Sequence, residues 1–202
     1  MILERDEKML EWLSQFKMAT PAQINHLFYN NSDTCYRRLR KLHEDKIIKR
    51  FKNTIGLGWI YYTEAARSTK QMQHCLTRND FYIKLLGVCD IKDVLIGRKY
   101  EHIIPDGYFK VVYNGRLYRF LLEVETERNA HAINIDKYNN YFLSDWSKDF
   151  ASKPTVIYVT NKKLPSRCNF KYKILNPKLD NFETIWEWLN DSYNSSTGFT
   201  ND

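Results

Sequence analysis

The sequence predicts a mixed α and β protein (α+β or α/β) made of two units, and three observations support this prediction. Residues 1–70 carry three short helical patterns of apolar residues, followed by two β-rich stretches. The segment 105–127 alternates apolar residues on both sides of an Asn-Gly pair, the strongest short-range signal of a hairpin. The stretch PTVIYVT at 154–160 is typical of a buried strand. We therefore expect one unit over 1–70, a second over 71–192 and a flexible tail over 193–202.

The charge of the chain is basic and unevenly distributed. The formal net charge is +7 over 202 residues, and 13 basic and 8 acidic residues lie in 1–70, against 18 and 16 in the remainder. A basic balance of this kind favours a polyanionic partner, either nucleic acid or an acidic membrane surface. Because the sequence has no basic amphipathic helix of the membrane-binding kind, nucleic acid is the preferred interpretation.

The cysteines and the apolar runs predict the compartment of the protein. The four cysteines are scattered, and none has the Cys-x-x-Cys or Cys/His spacing of a zinc site. The first residues, MILERDEKMLEW, are too charged for a signal peptide, and no apolar run approaches the roughly 20 residues of a membrane span. We expect a cytoplasmic protein with reduced thiols and no membrane partner.

Three helices and a hairpin are predicted in the first unit. Apolar residues recur at helical spacing over 3–16, and Thr20 supplies an N-cap for a second helix, with proline at its first position. A third helix is predicted over about 33–44, with Ser32 or Asp33 as its N-cap. Two β-rich stretches, KIIKRFKN and GLGWIYYTE, follow with a Gly-containing turn between them. This order of elements resembles a winged helix-turn-helix.

The third helix is the candidate DNA-binding element of this unit. Cys35, Leu39 and Leu42 form its apolar stripe. The opposite face and its flank carry one hydroxyl and four basic groups, on Thr34, Arg37, Arg38, Arg40 and Lys41. In the major groove of double-stranded DNA these groups would contact phosphates or guanine edges. The alternative is a solvated basic helix on an ordinary helical subdomain.

A two-residue Asn-Gly turn would fix the register of the hairpin in 105–127. In this register Asp106 faces Glu123, with Cβ atoms about 4.5–5.5 Å apart. Glu125 lies on the same face as Glu123, one strand period further along. The other face is a predicted core, made of Phe109, Val111, Tyr113, Tyr118, Phe120, Leu122 and Val124.

Three carboxylates on one face of a sheet require a compensating charge, because like charges directly opposite each other are destabilising. Mg²⁺ or Mn²⁺ would remove this penalty, since carboxylate oxygens are the ligands that these ions take. A metal held by Asp106, Glu123 and Glu125 could polarise a phosphodiester, activate water and steady the leaving oxygen. The alternative is an edge hairpin with solvated acids, in which Pro-Asp-Gly is only a turn.

The order of these motifs resembles a known superfamily. An acid after proline, a hairpin, Glu-x-Glu and then a helix are similar to the core of the PD-(D/E)xK nucleases, whose restriction-endonuclease-like fold is a mixed sheet flanked by helices. With the preceding winged helix, the motifs HCLTRNDFYIKLL, IIPDGYF, FLLEVETE and KYNNYF resemble the replication-relaxation family of plasmid and mobile-element proteins. That family overlaps relaxases described as related to restriction endonucleases, and the resemblance covers roughly residues 5–160.

The resemblance implies roles for particular residues. Asp106, Glu123 and Glu125 would be the metal-binding, catalytic acids. The superfamily lysine that helps to orient or activate the nucleophile is replaced here by Glu125. Lys137, within the helical stretch HAINIDKYNNYFLSDW, could reach the site from another direction, or it is a surface lysine. His74 lies in a family-like helix, but a lone histidine is more often structural.

We expect a protein of plasmid or mobile-element replication or transfer that binds double-stranded DNA at an origin. The leading hypothesis is a metal-dependent, site-specific DNA nicking enzyme of the relaxase kind, with possible contacts to other plasmid-processing proteins. The alternative is a non-catalytic origin-binding accessory factor or transcriptional regulator that retains a nuclease-like fold. The absence of lysine at position 125 favours the alternative, and the presence of all three acids favours the enzyme.

Overall fold

The computed structural model of the chain describes residues 2–53, 58–63, 71–125, 135–144, 146–163 and 168–196. In chain order its elements are α1 (Glu4–Phe16), β1 (Met18–Ala19), α2 (Pro21–Phe28), α3 (Ser32–Glu44), β2 (Lys49–Lys52), β3 (Trp59–Tyr62), α4 (Met72–Val88), β4 (Asp90–Leu95), β5 (Gly107–Tyr113), β6 (Arg116–Val124), α5 (Asp136–Ser144), α6 (Trp146–Asp149), β7 (Thr155–Val159), β8 (Tyr172–Leu175) and α7 (Thr184–Ser196). Among these described helices, none is long and apolar enough to cross a membrane.

The N-terminal part combines α1, α2 and α3 with an antiparallel sheet of order β1-β3-β2. The predicted start of α2 is confirmed: the Thr20 side chain accepts a hydrogen bond from the Gln23 backbone, and the Gln23 side chain accepts one from the Thr20 backbone. The predicted N-cap of α3 is wrong. The cap is Asn31, in extended conformation, whose Oδ1 accepts a hydrogen bond from the Thr34 amide at 2.9 Å.

The core of the N-terminal part lies between its helices and its sheet. The apolar stripe of α3 is buried as predicted, and it packs with side chains of the other two helices and of β3. The largest side chains of this cluster that are less than about 2% exposed, or at that value, are Met9, Leu13, Phe16, Ile24 and Tyr61. This packing fixes which face of α3 points to solvent.

The C-terminal part is built on a five-stranded sheet of order β4-β5-β6-β7-β8. Strands β4, β5 and β6 are antiparallel, whereas β6, β7 and β8 are parallel. The predicted hairpin register is confirmed, because Tyr113 pairs with Arg116 and Gly107 pairs with Leu122. Asn114 has a φ of 48° and its neighbouring glycine a φ of 74°, as a type I′ turn requires.

Both faces of this sheet are covered by helices. The predicted core face packs against α4 and α7, through buried side chains that include Phe81, Phe120 and Trp186. The opposite face, which carries the predicted acids, is also largely a core. Here Leu121 of β6 lies in one cluster with Tyr138 of α5. The result is a mixed α+β architecture in which polar groups at one end of β6 border on a packed interior.

Helix α4 joins the two parts of the chain through buried polar contacts. The Asn79 side chain donates to the carbonyl of Met18 at 2.7 Å, and the Arg78 guanidinium donates to the carbonyl of Phe16. The domain boundary that we predict at residue 70 falls within 64–70, which lies outside the described residues. Helix α7 ends at Ser196, inside the predicted tail, and residues 197–202 also lie outside the described part.

Candidate functional site

Asp106 is held at the open end of the β5–β6 hairpin. Its backbone amide donates to the carbonyl of Leu122 at 2.9 Å and extends the register beyond the last ladder pair. Its carboxylate Oδ2 accepts a hydrogen bond from the Val124 amide at 2.7 Å. These two bonds attach Asp106 to the backbone on either side of Glu123, so the predicted neighbours lie together. We refer to Asp106, Glu123 and Glu125 as the carboxylate cluster.

Glu123 is the buried member of the carboxylate cluster, with 7% of its surface exposed. Its Oε1 accepts hydrogen bonds from Lys137 Nζ at 3.0 Å and from the Tyr138 hydroxyl. Burial raises the pKa of Glu123 to about 7, against the lowering effect of the Lys137 charge, and the nearby charge of Asp106 raises it further. A carboxyl group with this pKa is half protonated near neutral pH.

Lys137 approaches the carboxylate cluster from α5. This agrees with the interpretation in which it reaches the acids, and not with the one in which it is a surface lysine. Its side chain is 35% exposed, and its ammonium group bonds Glu123. Tyr141 shares the helix face of Lys137 but is directed elsewhere, because its hydroxyl donates to Asp149 at 2.7 Å. Tyr138 is a functional candidate that sequence reasoning missed, because its aromatic side chain indicates only packing.

His74 lies at the carboxylate cluster, although the sequence suggested a structural role. Its Nδ1 is 3.4 Å from Oδ2 of Asp106. The hydrogen bond to Asp106 raises the pKa of His74 above its ordinary value, burial opposes this shift, and the charges of Glu125 and Glu123 add to it. No spacing in the sequence links His74 to Asp106, since their proximity arises from the packing of α4 on the sheet.

Glu125 meets a third cation. Strands β6 and β7 run parallel, and the Glu125 amide donates to the carbonyl of Val159 at 3.0 Å, which brings the chain after β7 beside it. There Lys162 Nζ lies 3.8 Å from Oε2 of Glu125. The three acids therefore have three basic partners from three different parts of the fold: Lys137, Lys162 and His74, which is a cation when it is protonated. We refer to these as the counter-cations.

Tyr158 adds a buried hydroxyl beside the carboxylate cluster. It pairs with Glu123 in the parallel ladder of β6 and β7, so the two side chains share a face of the sheet. Tyr158 is 1% exposed, and within the described part of the chain its hydroxyl has no hydrogen-bond partner. Burial, and then the charge of Glu123, raise the pKa of Tyr158, so the hydroxyl remains a neutral donor.

The donor set fits a hard divalent cation in its chemistry, because carboxylate oxygens are the ligands of Mg²⁺ and Mn²⁺. Among the carboxylate oxygens of the cluster, only Oδ2 of Asp106 and Oε1 of Glu123 accept hydrogen bonds from described residues. Within the same residues, no three His, Cys, Asp or Glu side chains are grouped closely enough to hold an ion. Each acid of the cluster is instead paired here with one of the counter-cations.

The predicted DNA-binding residues of α3 fall into two groups. Arg37 and Arg40 are exposed, and neither has a side-chain partner among the described residues. Lys41 is exposed but pairs with Asp45 at 2.9 Å, and Thr34 is half-buried. Exposed basic groups of this kind are suited to phosphate contacts.

Arg38 differs from its neighbours because it has a partner inside the protein. Its guanidinium binds the carboxylate of Asp6, which is fully buried, with Nε at 3.1 Å from both oxygens. This ion pair joins α1 to α3 and accounts for Arg38 without nucleic acid. Tyr36, which is 52% exposed on the same helix, was not singled out in the sequence.

Comparison of the chain with protein-family models, with curated proteins and with solved structures finds no match in any of the three. The functional conclusions therefore depend on the geometry of the carboxylate cluster and of α3.

Proposed function

We propose that the chain is a DNA-binding protein that nicks one strand of duplex DNA at the carboxylate cluster, with Mg²⁺ or Mn²⁺ held there. The observation that carries this proposal is the meeting of Asp106 and Glu123 at one end of the hairpin, with Lys137 at 3.0 Å from Glu123. Buried acids with shifted pKa values beside a lysine are more frequent at functional sites than elsewhere.

The arrangement of the N-terminal part supports DNA binding. Three helices followed by a hairpin, with sheet order β1-β3-β2, are what we expect of a winged helix-turn-helix. Its third helix would enter the major groove and present Arg37 and Arg40 to phosphates or guanine edges. The hairpin offers a second basic and aromatic pair, since the Arg50 guanidinium lies 4.1 Å from the centre of the half-exposed Trp59 ring.

The arrangement of the C-terminal part supports a nuclease-like unit related to the replication-relaxation family. An acid before β5, Glu-x-Glu at the end of β6, a following helix and a mixed sheet between helices agree with the expected order. A bound divalent cation would polarise the phosphodiester and stabilise the leaving oxygen. The cation would be held by Asp106, Glu123 and Glu125. Lys137 would perform the role of the superfamily lysine, whose position is occupied here by Glu125.

A second candidate function is a non-catalytic DNA-binding factor that serves an origin or regulates transcription. The observation that favours it is the pairing of each acid with its own counter-cation. A cluster neutralised in this way is stable without a metal and without any reaction.

The experiment that tests the proposal is incubation of the protein with supercoiled plasmid that carries its own genomic neighbourhood, with and without Mn²⁺. We expect conversion to open circle with Mn²⁺, loss of conversion in Glu123→Gln, and normal conversion in the exposed control Glu187→Gln. Retardation of the same DNA should weaken in the double variant Arg37→Gln, Arg40→Gln. It should persist in the double variant Lys92→Gln, Lys178→Gln, which removes the same charge from other exposed positions. Retardation by the wild-type protein without any relaxation would instead support the non-catalytic function.

A further inference from the structure

We propose that a cavity between α1, α2 and α4 binds an arginine side chain of a partner polypeptide. We refer to it as the aromatic cavity, after Trp12, Phe28 and Tyr82, which line it. Its volume is about 290 Å³. Pockets that enclose whole small molecules measure roughly 300–1,000 Å³, so the aromatic cavity suits a single side chain.

The three rings of the aromatic cavity come from three different helices and lie close together. The centre of the Trp12 ring is 5.9 Å from that of Phe28 and 6.3 Å from that of Tyr82. Trp12 is 8% exposed, whereas Phe28 and Tyr82 are half-buried. Aromatic rings attract cations, and the planar, weakly hydrated guanidinium of arginine stacks on them better than the ammonium of lysine.

Two acceptors on α1 line the same cavity, four residues apart on one face of the helix. Glu11 is exposed, and its carboxylate has no hydrogen bond or ion pair with a described residue. The Gln15 side chain is held in place because its Nε2 donates to the carbonyl of Val94 at 2.9 Å, and its Oε1 has no described donor. A guanidinium has five N–H donors and can bond both acceptors.

Lys8 also lines the aromatic cavity, but its charge is already paired. Its Nζ lies 2.8 Å from Oε1 of Glu4, one helical turn away. The carboxylate of Glu11 is therefore the charge in this lining that lacks a described partner. The charge of the cavity complements a cation and disfavours an anion.

The surroundings of the rings favour a polypeptide over a free small cation. Leu86 is 42% exposed and Leu27 is half-buried, so both could contact apolar residues on either side of a partner's arginine. The indole N–H of Trp12 is buried, and within the described part of the chain it has no acceptor. Buried polar groups are normally satisfied, and a backbone carbonyl of the partner would supply this acceptor.

A partner bound at the aromatic cavity would contact both parts of the chain, because α4 joins the N-terminal helices to the five-stranded sheet. The lining residues come from α1, α2 and α4, so Arg37 and Arg40 of α3 would stay available to DNA. The chain could therefore recruit an arginine-bearing protein while it is bound to DNA. Docking at the aromatic cavity does not require any reaction at the carboxylate cluster.

The test follows the Trp12 indole N–H by NMR during titration of the full chain with N-acetyl-arginine amide. N-acetyl-citrulline amide is the matched probe, since it has nearly the same shape and no charge. We expect the arginine derivative to bind about fivefold more tightly than the citrulline derivative. Glu11→Gln should weaken arginine binding about threefold, whereas Glu7→Gln, at an exposed acid of the same helix outside the cavity, should not. Equal binding of the two derivatives, or equal effects of the two variants, would overturn the proposal.

A capped tripeptide with arginine between two leucines tests the kind of occupant. It should bind on the order of tenfold more tightly than N-acetyl-arginine amide, because its leucines can contact Leu27 and Leu86 and its backbone offers an acceptor to Trp12. Equal affinities would identify the occupant as a free small cation and overturn the polypeptide. Self-association of the protein in analytical ultracentrifugation that Glu11→Gln abolishes would identify the occupant as a second copy and also overturn the proposal.

Discussion

Two buried carboxylates, Asp6 in the N-terminal part and Glu123 in the C-terminal part, have similar partners and opposite pKa shifts. Asp6 binds Arg38 and the Tyr29 hydroxyl, and Glu123 binds a lysine and a tyrosine hydroxyl. Burial acts to raise both pKa values. Hydrogen bonds from Arg38 and from a backbone amide bring the pKa of Asp6 below its ordinary value, whereas the pKa of Glu123 is raised to about 7.

The difference lies in how completely each charge is compensated. Both oxygens of Asp6 accept hydrogen bonds, from Arg38, from Tyr29 and from the Leu3 amide at 2.8 Å. For Glu123 the described bonds reach one oxygen, and the negative charge of Asp106 lies close by. Asp6 therefore belongs to a satisfied structural ion pair, whereas Glu123 retains an incompletely compensated charge of the kind that a ligand can complete.

The largest expected effect is on stability, in the variant Arg38→Met. It leaves the fully buried Asp6 carboxylate without its cation, and removal of one partner of a buried ion pair costs about 3–5 kcal/mol. The free energy of unfolding from urea titration measures this loss. Arg37→Met is the matched control, one residue away and exposed, and should change stability by less than about 0.5 kcal/mol. Equal effects of the two variants would show that the Asp6 pair is not structural.

The second effect is a pH dependence near neutral pH that Glu123 should show and Asp6 should not. Its folded pKa of about 7 lies above the ordinary 4.5, so its contribution to stability is present below 4.5 and is lost as the pH rises to 7. The stability of wild type minus that of Glu123→Gln should fall by on the order of 3 kcal/mol over this window. Urea titrations at several pH values measure it.

Asp6 supplies the control for this pH dependence. Its lowered pKa gives stability that is present above the ordinary 3.8 and is lost only in stronger acid. The stability of wild type minus that of Asp6→Asn should therefore be constant between pH 5 and pH 8. A flat curve for Glu123→Gln as well would mean that Glu123 is as well compensated as Asp6.

The part of the carboxylate cluster that depends on local sequence patterns could be predicted. The Asn-Gly turn and the two-residue period of strands fix the hairpin register, so the proximity of Asp106 and Glu123 could be deduced. The capping pattern at Thr20 likewise determined the start of α2. At α3 several capping residues occur in succession, and local patterns could not choose Asn31.

The partners of the acids could not be predicted, because they come from elements distant in the chain. His74 reaches Asp106 through the packing of α4, and Lys162 reaches Glu125 through the parallel pairing of β6 and β7. The ion pair of Arg38 could not be predicted for the same reason, since its partner Asp6 lies on another helix. A helical pattern shows that a basic residue lies on the flank of a stripe, but not which buried acid it meets.

The smallest expected effect is on stability, when the tyrosine hydroxyl that binds each of the two carboxylates is removed. Tyr29→Phe leaves Asp6 with Arg38 and a backbone amide, so it should cost about 0.5–1 kcal/mol. Tyr138→Phe removes one of only two described bonds to Glu123, which should cost about 1–2 kcal/mol at pH 8 and raise the pKa of Glu123 further. Because Tyr138→Phe favours protonated Glu123, its cost should shrink at pH 5, whereas that of Tyr29→Phe should not change. If the stability losses of the two variants changed equally with pH, the charges of Asp6 and Glu123 would be equally well compensated.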